Sequence, residues 1–491
     1  MKKSISKYIL IGVIAVGVTC CDIKDFGDTN VNPNQTTQAI PSALLTNALT
    51  DPDFGLKTTI DATQGQHYAQ YLANSQYTSA DNYQTIIFDY GGYYRTVLMD
   101  LQQIIIVNSD EETMVEASRY GSNENQIAVA QILQSYYFNY LTDRWGDIPY
   151  SQALAIAEGV RQPVFDPQAD VYAGILSTLK TAQANLSSTA PVLGDVLFDG
   201  DMDMWKKFAN TIRMRMALRM SEVDPTTAAA EFISAINDGV IALDNSENIF
   251  FANLPEAAFQ NAWFARFLTR RDYAVANTLV DRMQTVGNGG VLNVAMDPRL
   301  PVFADPTENG GNYVGMPYGL SEARSGAIPN TNKSFLAAGL RAQDAPNYLF
   351  TSAQVLFSMA EAVHRGWISG DVEALYNQGI QASLNQYGVG SGYAQYITNS
   401  WVKFDASKAR EQILTQKWIA NFLNGYEGWA EWRRTGFPTL KPAEDALNAS
   451  GQIPVRQAYP LFEVNLNSTN YAAVVARQGA DNLDTPVWWD K

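Results

Sequence analysis

Residues 129–150 read VAQILQSYYFNYLTDRWGDIPY. Val129, Ile132, Leu133, Tyr136, Tyr137 and Tyr140 fall at i, i+3, i+4, i+7, i+8 and i+11, which is one face of a helix. The stripe ends where Gly146 and Pro149 forbid more helix, so Asp143 to Tyr150 reads as a turn. Asp166-Pro167, a cap followed by proline, opens a partner helix carrying Tyr172, Ile175, Leu176, Leu179 and Leu186.

The same pattern repeats downstream. Trp205, Phe208, Ala209, Ile212, Met216 and Arg219 mark one helix, and Asp224-Pro225 starts the next with Phe232, Ile233 and Ile236. Leu356, Met359, Ala360 and Val363 precede a turn at Gly366–Gly370, and Asp371 opens a helix with Leu375, Tyr376 and Ile380. A last pair covers Asp405–Leu423 and Gly425–Arg434. Repeated pairs of this length predict a mainly α fold, a tetratricopeptide-like helix-pair scaffold with degenerate repeats, over about 124–240 and 349–435.

Between them, 241–348 is punctuated by Asn288-Gly289-Gly290, Asp305-Pro306 and Asn309-Gly310-Gly311-Asn312, and reads as a loop-rich region of turns and short segments. The tail 454–491 also reads as loop-like. Upstream, 39–63 gives mixed signals, and a helix is expected to end near Asn74 before a loop to Tyr94. The whole of 41–491 reads as one domain.

The N-terminal segment has a different logic. Lys2, Lys3 and Lys7 precede the apolar run Tyr8–Val18, and Thr19-Cys20-Cys21 follows. That run is shorter than the roughly 20 residues of a spanning helix and has the layout of an export signal. Small residues before a cysteine resemble a bacterial lipobox, so 1–20 is expected to be a lipoprotein signal peptide and Cys21 the acylated residue, with Cys20 as the alternative. Residues 21–40, rich in Asn, Asp, Thr and Pro, would then be a lipidated tether.

Composition narrows the chemistry. The net charge of −16 over 491 residues argues against nucleic acid, whose phosphates demand Lys and Arg. Cys20 and Cys21 are the only cysteines, so no internal disulfide can form in the body. With His67 and His364 as the only histidines, zinc clusters and Ser-His-Asp triads have little to build on.

Five stretches together resemble the SusD/RagB family of outer-membrane nutrient-binding lipoproteins, in its SusD-like branch. They are Cys21-Asp22 leading to Asn30–Asn34; Arg144–Tyr150; Trp205–Asn210 running into Arg213, Arg215 and Arg219; Ala360-Glu361-Ala362; and Gln416–Ala420 through Glu431–Pro438, with Val455-Arg456 and Tyr459-Pro460 beyond. The resemblance implies a helix-pair scaffold with an inserted loop-rich, irregular subdomain, ligand-facing over about 241–348, that sits on a SusC-like TonB-dependent transporter, captures a glycan or in some members a peptide, and hands it over for import without catalysis. It implies an outer-membrane, lipid-anchored protein facing the cell exterior.

Sugar binding asks for flat apolar faces and a few amide or guanidinium groups. Tyr77, Tyr83, Tyr90, Trp263, Tyr313 and Tyr318 are candidate platform residues on loops, with Asn82 and Arg324 as hydroxyl partners; core packing is the competing role for each. A surface glycosidase is the alternative class, since Asp147, Glu361 and Glu431 are acids amid aromatics. A turn or ion-pair role explains those acids better, as it does Arg213, Arg215 and Arg219. No cofactor and no catalytic residue is expected, although Asp305, Glu308 and Asn309 could hold a structural calcium ion.

Overall fold

A computed structural model describes residues 39–284 and 295–490. The expected export signal, Cys21 and nearly all of the tether lie outside the described residues. Residues from Pro41 onward form one unit.

The helices that position the rest are α1 (Pro41–Thr50), α2 (Thr63–Tyr68), α3 (Val97–Ser109), α4 (Asn123–Trp145), α5 (Gln168–Asn185), α6 (Met202–Arg219), α7 (Pro225–Asp238), α8 (Ser352–His364), α9 (Val372–Gln386), α10 (Ala409–Ala420), α11 (Gly425–Thr435) and α12 (Ser468–Gln478). The expected pairs form: α4 packs on α5, α6 on α7 and α8 on α9. Three antiparallel two-stranded ladders complete the described residues: Leu72–Asn74 (β1) with Tyr273–Val275 (β5), Ile148–Pro149 (β2) with Phe165–Asp166 (β3), and Ile249–Phe251 (β4) with Asn347–Phe350 (β6).

Local chemistry sets the helix ends. Ser122 accepts from the Asn125 N–H at 3.2 Å to start α4, and Gly146, at φ +82°, ends it. Asp224 and Asp371 cap α7 and α9 by accepting the N–H groups of Thr227 and Ala374, each at 3.1 Å. Asp166 does not cap α5 as expected. Its carboxylate accepts from the N–H groups of Tyr150 and Ser151, while Asp147 Oδ1 takes the Gln168 N–H at 2.7 Å. The acid in the turn after α4 therefore caps the start of the next helix.

Four expectations need correction. The helical scaffold begins before residue 124, because α1 and α3 pack together and α3 lies along α4. The helix expected to end near Asn74 ends at Tyr68, and Leu72–Asn74 is strand β1. The inserted region carries short helices, Ala262–Phe267 and Asn277–Met283 among them, as well as strands. The tail is not loop-like throughout: it contains Leu461–Leu466 and α12.

Burial of large side chains holds the groups of pairs together. Trp145, Trp205, Trp418 and Trp429 are fully buried, and complete burial of such side chains contributes on the order of 3 kcal/mol each. A charged seam crosses this apolar interior. Arg219 donates to Glu431 at 2.5 Å and Glu427 at 2.6 Å, and Lys417 reaches Glu431 at 3.1 Å. The seam joins α6, α10 and α11, and Arg434 extends it to Glu361 on α8.

Candidate ligand-binding site

A cleft of about 610 Å³ opens where α2, the end of α4, the start of α11 and the helix Ala262–Phe267 converge. One wall is aromatic. Phe54 stands edge-on to Tyr93, with ring centroids 5.1 Å apart, and Tyr140 stands edge-on to Tyr426 at 5.5 Å. Phe88 adds a half-buried ring at the rim. Gly92 permits the first contact: a Cβ there would lie 1.9 Å from Phe54 Cζ. Gly92, in the first turn of the short helix Gly91–Arg95, thus serves ring packing.

Polar groups line the other walls. Arg144, on the last turn of α4, is 7% exposed and lies over three rings, at 4.2 Å from Tyr426, 4.2 Å from Trp145 and 4.7 Å from Tyr140. Its Nε donates to Gln457 Oε1 at 2.8 Å. At the far end, Asp61 is buried. Its Oδ1 accepts from Asn347 Nδ2 at 2.5 Å and its Oδ2 has no hydrogen-bond partner. Burial pushes the Asp61 carboxyl up to about 6, against the pull of Arg266 and Lys57. Burial likewise lowers Lys57, whose Nζ donates to the Gln260 carbonyl at 2.9 Å. Gln64, Thr58 and Gln260 add neutral donors and acceptors. Flat rings beside a guanidinium, amides and hydroxyls can take up the apolar faces and hydroxyl edges of a sugar.

Residues 33–460 match the family described as "starch-binding associating with outer membrane", the SusD-like proteins. The chain belongs to that family. Solved structures agree across the body of the SusD-like chain. A chitin-binding protein is 26% identical, with a TM-score of 0.76 over 92% of this chain and 99% of its own. A SusD homolog from Bacteroides fragilis is also 26% identical, with a TM-score of 0.75 over 92% and 100%. One from Parabacteroides distasonis, 24% identical with a TM-score of 0.78 over 92% and 98%, shares the fold. No curated protein matches the chain. The family associates with the outer membrane, and among the described residues no helix is long and apolar enough to cross one.

The SusD-like scaffold uses most of the expected platform residues internally. Tyr83, Tyr90, Trp263 and Tyr318 are buried, as is Asn82, and none of them lines this cleft, although Tyr90 and Tyr318 line two smaller pockets elsewhere. Tyr83 Oη accepts from the Ala443 N–H at 3.0 Å, Tyr90 stands edge-on to Trp145 at 5.0 Å, and Trp263 stands edge-on to Tyr273 at 5.3 Å. Tyr318 packs against Tyr83 at 6.4 Å. Tyr77 is 57% exposed under the Arg270 guanidinium, and Tyr313 is half-buried; neither lines the cleft. Arg324 is exposed but pairs with Glu444 at 2.7 Å and Asp445 at 2.8 Å. The cleft residues Phe54, Tyr93, Tyr140, Arg144 and Tyr426 were not among the expected site. Tyr140 shares its helical stripe with core tyrosines, and the available signal was Arg144 beside the turn.

The acids that suggested a glycosidase are engaged elsewhere. Asp147 caps α5 and accepts from Arg477 at 2.7 Å, and Glu361 and Glu431 belong to the buried seam. None of the three lines the cleft. Asp305 and Glu308 pair with different arginines, Arg341 and Arg271, and Asn309 bonds to Thr331 and Asn332. Among the described residues, no three His, Cys, Asp or Glu side chains gather as a metal site.

Proposed function

We propose that this SusD-like chain is a surface lipoprotein, anchored through acylated Cys21, that captures an oligosaccharide and passes it to a SusC-like TonB-dependent transporter. The single observation behind this reading is the open cleft of Phe54, Tyr93, Tyr140 and Tyr426 with Arg144 at its wall. Family membership and a chitin-binding relative at 26% identity support a glycan over a peptide. Capture without turnover is supported by Asp147, Glu361 and Glu431, the acids the sequence singled out, being held in ion pairs away from the cleft. The protein then sits at the outer face of the outer membrane, and its exposed Tyr77 and half-buried Tyr313 are further surfaces along which a long polymer could run.

Titration calorimetry of the detergent-solubilised full chain against oligosaccharides of different composition tests the reading. Saturable binding with no new reducing ends is the expected result. Retention of no saccharide, or release of shortened products, overturns it.

A further inference from the structure

The charge arrangement at one end of the cleft points to a narrower ligand class, and this inference rests on the glycan-capture reading. Arg213, Arg219, Arg299, Arg434 and Arg456 are all buried, and each holds a carboxylate oxygen within 2.5 to 2.8 Å. Arg433, which lacks one, donates its terminal nitrogens to the Val455 and Asp143 carbonyls at 2.8 and 2.7 Å. Arg144 has neither arrangement. Its Nε donates to Gln457 Oε1, its other hydrogen-bond partners are the phenols of Tyr93 and Tyr426 rather than a carboxylate or a carbonyl, and its guanidinium lines the cleft.

A cation taken out of water without a counter-ion is costly, and ring faces offset only part of that cost. The charges nearby do not neutralise Arg144. Lys57 and Arg266 face Asp61 at the opposite end. Asp53 and Asp89 are exposed at the rim, and Asp89 accepts from the Gly91 N–H at 2.6 Å. The phenols of Tyr93, Tyr140 and Tyr426 surround Arg144 instead. Among the described residues no carboxylate pairs with Arg144, so at a ligand-sized cleft its guanidinium can take an anionic group.

We propose that Arg144 receives an anionic substituent of the captured saccharide, a uronic-acid carboxylate or a sulfate ester, while the sugar lies against the aromatic wall. The planar guanidinium can offer two parallel N–H donors to either group.

The test compares uronic-acid oligosaccharides (galacturonic, glucuronic and mannuronic) with their methyl esters, sulfated oligosaccharides with their desulfated forms, and a chito-oligosaccharide, all on the detergent-solubilised full chain. The expected result is at least one acidic ligand binding about tenfold or more tighter than its neutral counterpart, with the preference weakening as salt rises. Which acidic series shows it distinguishes carboxylate from sulfate. R144Q abolishes the preference and R144K restores part of it. Equal binding of acidic and neutral forms, or an undiminished preference in folded R144Q, overturns the proposal and leaves glycan capture standing. If no saccharide of any charge binds, the capture reading falls first and takes this one with it. The acid-against-ester comparison on the wild type decides the matter even if the variants do not fold.

Discussion

Arg434 holds both oxygens of Glu361, with Nη1 on Oε1 at 2.7 Å and Nη2 on Oε2 at 2.8 Å, across 73 residues of sequence. The pair locks α11 to α8. Arg365 adds a third donor to Glu361 at 2.9 Å, and Arg434 also reaches Glu431 at 2.8 Å. Such a seam is sensitive to imbalance, because removing one partner strands the other charge in a dry interior.

Glu361→Gln is therefore expected to destabilise the fold by about 3 to 5 kcal/mol, read as a lower urea midpoint with unchanged slope. The Arg434 guanidinium holds the Glu361 carboxyl down to about 2, against the opposing push of burial. A carboxyl lowered on folding stabilises the native state above its unfolded value and loses that contribution as pH falls through the folded one. The advantage of the wild type over Glu361→Gln should accordingly shrink between about pH 4.5 and 2. A pH-independent difference would rule out the ion pair as its source.

Gly65 on α2 lies against the start of α11, and a Cβ there would come 2.5 Å from the Tyr426 backbone nitrogen. Backbone cannot yield as a side-chain tip can. Gly65→Ala should cost about 1 to 3 kcal/mol, seen as a lower melting temperature. It should also weaken saccharide binding, since Tyr426 lines the cleft.

How much of this was legible in the sequence depended on the strength of each local signal. The long tyrosine stripe of α4 and the Asp-Pro start of α7 carry their own chemistry, and the helix pairs follow from them. Helix α3 was missed because Ile104-Ile105-Ile106-Val107 is a β-branched run that suits a strand equally well. In α12 only Val474 is buried, so its stripe is faint. The cleft was less legible still. Its rings come from a loop, the short helix Gly91–Arg95, α4 and α11, and Tyr83, Tyr90 and Tyr318 became core only once distant elements closed over them.

Phe54→Ala removes a half-buried ring from the cleft wall while leaving Tyr93 in place. Loss of one aromatic contact of about 0.5 to 1.5 kcal/mol should weaken capture of the bound oligosaccharide roughly 2- to 10-fold by calorimetry. Unchanged affinity would place the sugar elsewhere on the surface.

Cys21→Ala tests the anchor. Several acyl chains, at about 0.8 kcal/mol per buried CH₂, hold a protein durably on a membrane, so the variant should move from the membrane fraction to the soluble one. If it stays attached while Cys20 carries no lipid, an acyl anchor is not what holds it.

Asp61 gives the last prediction, with a sign opposite to that of Glu361. Burial raises its carboxyl from the ordinary 3.8 to about 6, so the folded state resists its ionisation. The resulting penalty is absent below pH 3.8, grows as pH rises toward 6, and is constant above that. Asp61→Asn keeps an oxygen for the Asn347 amide and removes the charge. It should therefore stabilise the protein at pH 7 by up to about 3 kcal/mol, with the gain vanishing below pH 4. Asp490, which burial pushes up to about 7, adds a similar slope to both proteins and cancels in the difference. Melting temperatures of the pair across pH 4 to 8 measure the effect. A variant less stable than wild type at pH 7 would mean that Lys57 and Arg266 already balance the ionised acid.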